Sequence, residues 1–192
     1  LHRYGTTLDP APLPAPAARD EAPRVTVSDT GEVRFDRETG VLVVDSARSQ
    51  AVIGMAGGRR VETRDVVFEL DNPFVVVTVS SLTDAPIATS ERLLVTTVAR
   101  AQNTGFRATE QDGRMFIGAH GHGPVMAEAV TGRLIFAGRR GLTAYVLEPT
   151  GARRRDGVIV PLQAGAGLDL SASGPAMHYE VIRRTNTDGK SN

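Results

Sequence analysis

The chain has 192 residues, with 22 basic and 22 acidic side chains, a net charge of zero, no Cys and no Trp. That length holds one medium domain and falls short of a (β/α)₈ barrel, which needs roughly 250 residues. The charge balance argues against a nucleic-acid surface or a basic patch for membranes, and the missing Cys excludes disulfides, zinc ribbons and thiol catalysis while leaving the redox compartment open.

Residues 1–23 contain Pro10, Pro12, Pro14, Pro16 and Pro23, separated mostly by Ala and Leu. Alternating prolines fix φ and remove backbone donors, so this stretch is expected to be an extended linker or strap. Residues 24–184 form the expected domain, and residues 185–192 a polar, flexible tail.

Within the domain, turn signals recur about every eight to twelve residues, the rhythm of a sandwich or barrel. Strands are expected at 24–28, 32–36, 41–45, 50–55 and 66–70, with Val33 and Phe35 sharing one face of the second. The β-branched run 74–80 is too continuous for a strand with one wet face and is expected at the centre of a sheet. Residues 82–90 read as a loop around Asp84 and Pro86, and 92–99 as another strand, closed by Asn103-Thr104-Gly105. Further strands are expected at 114–117, 125–129, 133–136, 142–147, 158–162, 168–170 and 178–183. Hairpins are expected around Val130-Thr131-Gly132 and around Pro149-Thr150-Gly151.

No capped amphipathic helix is visible. The expected fold is all-β, a two-sheet antiparallel β-sandwich of jelly-roll-like type, with a closed barrel as the alternative. Phe35, Phe68, Phe74 and Phe136 sit in strand patterns as core, and Tyr145 and Tyr179 are expected to be packed. A stacking platform for sugars is therefore poorly supplied.

Few residues suggest chemistry. Gly54-Met55-Ala56-Gly57-Gly58 lies between two strands and lacks the spacing and Lys of a phosphate loop, so it reads as a tight turn or bulge. His120-Gly121-His122 is the sharpest metal candidate, because residues two apart on a strand face the same side. With Glu128 it resembles the first metal motif of cupins. The resemblance implies a metal-dependent enzyme, although the five residues between His122 and Glu128 exceed that family's usual gap and His178 lacks second-motif context. Gly118 to Pro124 also reads as a loop. No catalytic residue and no cofactor is expected. No spacing links a His to a nucleophile, and acidic pairs such as Asp36/Glu38 and Asp169/Glu180 read as solvated carboxylates rather than a glycosidase pair.

Three segments together carry a wider resemblance. They are residues 39–54, residues 79–88 with their continuation 92–105, and the ending 144–151 with 178–182. They resemble the β-sandwich that follows the catalytic barrel in some large bacterial glycoside hydrolases of the β-galactosidase and cellulase-like type, over about residues 30–183. The resemblance implies a non-catalytic accessory domain that packs on a glycoside hydrolase catalytic domain or subunit, with the Ser/Thr/Asp loop at 80–90 as the contact. It also implies a secreted or periplasmic setting. An independent module binding polysaccharide is the second reading, and the cupin-like enzyme the third. The first reading requires an apolar patch left exposed on the isolated domain.

Overall fold

The computed structural model describes residues 23–138, 141–155, 159–160, 162–163, 167–172 and 175–183. The expected linker, apart from Pro23, and the expected tail lie outside these residues. Among the described residues there is no helix.

In chain order the strands are β1 (Val25–Val27), β2 (Val33–Asp36), β3 (Val41–Asp45), β4 (Ser49–Gly54), β5 (Arg59–Glu62), β6 (Val66–Leu70), β7 (Val75–Ser81), β8 (Arg92–Val98) and β9 (Ala101–Thr104). They continue as β10 (Arg107–Gln111), β11 (Arg114–Ala119), β12 (His122–Ala127), β13 (Gly132–Phe136), β14 (Leu142–Val146), β15 (Ile159–Val160), β16 (Leu162–Gln163), β17 (Gly167–Asp169) and β18 (His178–Arg183).

Two antiparallel sheets face one another. The larger has nine strands in the order β1-β2-β3-β4-β7-β8-β18-β14-β15, and the smaller has five in the order β16-β17-β13-β6-β5. The chain passes between them from β4 to β5, β6 to β7, β13 to β14, β15 to β16 and β17 to β18. This is the exchange of strands expected of a jelly-roll-like sandwich.

The core follows from alternation. In a strand every second side chain points to the same face. Val75, Val77 and Val79 of β7 and Leu93 and Val95 of β8 are therefore buried together, facing Val66, Phe68 and Leu70 of β6 and Leu134 and Phe136 of β13. Each such burial contributes about 1.5–3 kcal/mol. As expected, β7 is central, held between β4 and β8. A polar corner ties the sheets. Gln50 is fully buried at the start of β4, where its Nε2 donates to Asp65 Oδ2 at 2.7 Å and its Oε1 accepts from Thr63 Oγ1 at 2.7 Å.

Several expectations need correction. Phe68 and Phe136 are core, but Phe35 and Phe74 are 37% and 38% exposed. Phe35 lies on β2, next to the edge strand β1, and Phe74 precedes β7 in the loop after Asn72. The hairpin expected around Val130-Thr131-Gly132 is absent, because β12 pairs with β9 whereas β13 pairs with β6 and β17. Gly132 permits that break: its φ is +116°, and its α-carbon lies against the backbone of Glu69 and Leu70. The turn at Pro149-Thr150-Gly151 does close the chain, with Leu147 bridged to Arg153.

Candidate functional site

Residues 101–127 leave the sandwich. Strands β9 and β12 pair with each other, β10 and β11 pair with each other, and neither pair joins a body sheet. Together they form one long two-stranded arm that runs up through β9 and β10 and returns through β11 and β12. Its tip is the two-residue turn Asp112-Gly113, with φ of +53° and +70°, closed by the pair Gln111 and Arg114. Asp-Gly is the sequence such a tight turn favours, because both residues must take positive φ.

The two halves of the arm differ in chemistry. The rising half presents Gln102, Asn103, Arg107, Thr109 and Glu110, all exposed. The returning half presents Met115, Phe116, Ile117, Val125 and Met126, which are 54–68% exposed. An exposed apolar strand is what soluble proteins normally avoid at a sheet edge, by placing charge or proline there. The body edge strand β5 follows that rule, with Arg59, Arg60 and Glu62 exposed.

The arm is firmly rooted. Asn72 is buried where β6 ends, donates from Nδ2 to the Ala129 carbonyl at 2.9 Å, and accepts the Thr131 N–H on Oδ1 at 2.8 Å. Arg100 donates from Nε to Glu128 Oε2 at 2.8 Å across the base, and this bond holds the Glu128 carboxyl below its ordinary pKa. A cleft of about 410 Å³ opens beside the root, lined by Ala99, Ala127, Val146, Pro149, Ala176 and Met177 among others.

Of the sequence-predicted metal residues, His120 and His122 lie on this arm and Glu128 at its root, and the structure does not assemble them. The same-face argument for His120 and His122 needs an extended residue between them, but Gly121 has φ +70°, β11 ends at Ala119 and β12 begins at His122. His122 Nδ1 lies 2.7 Å from the carbonyl oxygen of Gly123, and Glu128 is engaged by Arg100. Among the described residues no three His, Cys, Asp or Glu side chains are grouped to hold a metal.

The acidic pairs have structural partners. Asp36 accepts the backbone N–H groups of Glu38 and Thr39, at 2.9 and 3.3 Å, and Glu38 pairs with Arg24. Asp169 accepts the Ser171 N–H at 2.8 Å on the smaller sheet, whereas Glu180 lies on the larger. Glu180 is the one buried carboxylate among the described residues, accepting from Arg92 Nε and Nη2 at 3.0 and 2.6 Å and from Arg153 Nε at 2.7 Å. Burial pushes its carboxyl up, and the bonds from Arg153 and Arg92 outweigh that and hold it below the ordinary value. The Arg153 guanidinium also sits 3.9 Å above the Tyr145 ring.

The loop at 80–90 is anchored by internal bonds, with Leu82 and Asp84 left exposed. Ser81 Oγ donates to the Ala85 carbonyl at 2.7 Å, the Thr83 and Ser90 hydroxyls are 2.9 Å apart, and Ile87 is fully buried. Its polar side chains therefore stabilise the loop itself. The exposed aromatics Phe35, Phe74 and Phe116 lie on three separate elements.

No protein family, no curated protein and no solved structure matches this chain.

Sequence reasoning missed the arm because β9 and β10 show no hydrophobic alternation. Asp112-Gly113, between a polar run and the apolar run 115–117, was the signal that could have found it.

Proposed function

We propose that this chain is a non-catalytic β-sandwich module that acts by holding another protein through its arm. The observation that supports this reading is the apolar returning strand, Met115, Phe116, Ile117, Val125 and Met126, carried clear of the core on a rooted two-stranded support. The apolar cleft beside the root extends the same surface towards the body. The resemblance of residues 30–183 to accessory sandwiches offers one class of protein for the arm to hold, the catalytic barrel of a carbohydrate-active enzyme. The contact would then be the arm rather than the 80–90 loop.

The test separates a binding surface from a structural one. The triple substitution Met115→Ser, Phe116→Ser, Ile117→Ser removes the apolar tip and touches no buried position. The expected result is a clear drop in the hydrophobic-dye fluorescence of the native protein, the remainder coming from Val125, Met126 and the root cleft, with a melting temperature unchanged within about 2 °C, as for surface substitutions. Unfolding of the triple variant, or dye fluorescence equal to the native level, overturns the reading.

A further inference from the structure

The arm's hydrogen bonding identifies which partner its apolar strand fits. In a hairpin closed by a two-residue turn, the flanking pair exchanges both backbone hydrogen bonds, and the next pair out exchanges none. Here Gln111 and Arg114 flank the turn, Glu110 opposes Met115, Thr109 opposes Phe116 and Ala108 opposes Ile117. Arg114 and Phe116 therefore bond inward to β10, whereas Met115 and Ile117 turn their N–H and C=O groups to the open edge of β11. No strand among the described residues pairs with that edge. Met115 and Ile117 thus leave their backbone groups unpartnered at the same edge where Met115, Phe116 and Ile117 leave apolar side chains exposed.

We infer that the apolar edge of β11 pairs antiparallel with β11 of a second copy of this chain, joining two arms into one four-stranded sheet. The inference rests on the reading of the arm as a protein-binding element. Two observations favour a second copy over an unrelated protein. The first is self-complementarity. Outward-facing groups must meet outward-facing groups, so the strand can shift only by whole two-residue steps. The register centred on Phe116 sets Met115 opposite Ile117 of the second copy, Ile117 opposite its Met115, and Phe116 opposite its twin. Registers centred on Met115 or on Ile117 place Phe116 opposite Arg114 or Gly118 instead.

The second observation is charge. The tip carries Arg107, Glu110, Asp112 and Arg114, which sum to zero, and the favoured register sets Arg114 against Gly118. No like charges face one another, and the two arms do not repel. Area sets the strength. Met115, Phe116 and Ile117 are 68%, 54% and 55% exposed. They expose on the order of 350 Å² per copy, so the pairing buries at most about 700 Å² in total, below the size of a standard specific interface. The dimer is accordingly expected to be weak and to form only at high protein concentration. Pairing stops at β12, because Pro124 has no N–H to offer there.

The absence of cysteine makes the register testable on the full chain. Opposed residues in an antiparallel pair have α-carbons about 4.5–5.5 Å apart, inside the range a disulfide spans. Phe116→Cys is expected to form a disulfide-linked dimer under mild oxidation about tenfold faster than Thr109→Cys, its neighbour on the polar strand. Because Phe116→Cys removes one apolar contact, a second arm keeps it: Met115→Cys and Ile117→Cys are mixed, and only the mixed pair is expected to cross-link. Equal rates at positions 116 and 109, or no cross-link in any combination at millimolar protein, overturn the second copy as partner. If the native chain then still binds hydrophobic dye through the 115–117 tip, the protein-binding reading stands with a different partner. If it does not, both readings fall.

Discussion

Replacing Glu180 by Gln tests the electrostatic account of the body. The substitution keeps side-chain volume and removes one negative charge from a carboxylate that is 5% exposed. Three charge-assisted bonds are affected, two from Arg92 and one from Arg153. Removing one partner of a fully buried pair costs about 3–5 kcal/mol. Here the Arg92 and Arg153 side chains are 59% and 47% exposed, so both guanidiniums recover water when the carboxylate is lost. The expected cost falls to about 2–3 kcal/mol, or a drop in melting temperature of roughly 5–10 °C. With no Trp in the chain, unfolding is best followed by circular dichroism. The folded-state pKa of Glu180 is depressed, so its stabilisation is present above the ordinary value of 4.5 and is lost as pH falls through the lower folded value. The difference between native protein and Glu180→Gln should therefore be flat from pH 7 to about pH 5 and shrink at more acidic pH. A difference below about 0.5 kcal/mol at pH 7, or one that grows on acidification, would mean that the Arg92 and Arg153 bonds to Glu180 do not carry this stability.

Other positions give independent checks. Leu134→Ala empties a fully buried site on β13 and should cost about 2–5 kcal/mol in chemical unfolding. Gly132→Ala sets a β-carbon against the Glu69 carbonyl at a φ of +116°, and should lower the melting temperature by more than an ordinary surface substitution does. Asn72→Ala leaves the Ala129 carbonyl and Thr131 N–H without their partner, and should cost about 1–3 kcal/mol while speeding amide exchange at Thr131.

What was legible in the sequence was whatever one-sided burial writes into it. Val75, Val77 and Val79 alternate with half-buried residues, so β7 and its central place could be read from the β-branched run. The Gly54-to-Gly58 segment was readable as a turn: Gly54 has φ +112° and packs against the Gly40 backbone, and Gly57 lies against Asn72 and Pro73. The pairing partners were less legible, because the same apolar strand fits several neighbours. Residues 133–136 could serve a local hairpin as well as the long-range pairing with β6. The arm left the weakest trace. Strands wet on both faces have no face to alternate, so Gln102 to Gln111 carry no strand signal beyond the turn expected at Asn103-Thr104-Gly105. Met115 to Ile117 read as an ordinary strand whose exposure only the structure reveals.

Amide hydrogen exchange along the arm, followed residue by residue as protein concentration rises, reads the pairing of β11 edge by edge. Met115 and Ile117 present their N–H groups to the open edge of β11, and Ala108 and Glu110 present theirs to the opposite, polar edge. Pairing through β11 predicts that Met115 and Ile117 become protected with concentration while Ala108 and Glu110 keep exchanging freely. Protection at Ala108 and Glu110 instead, or free exchange at all four at every concentration, would contradict it.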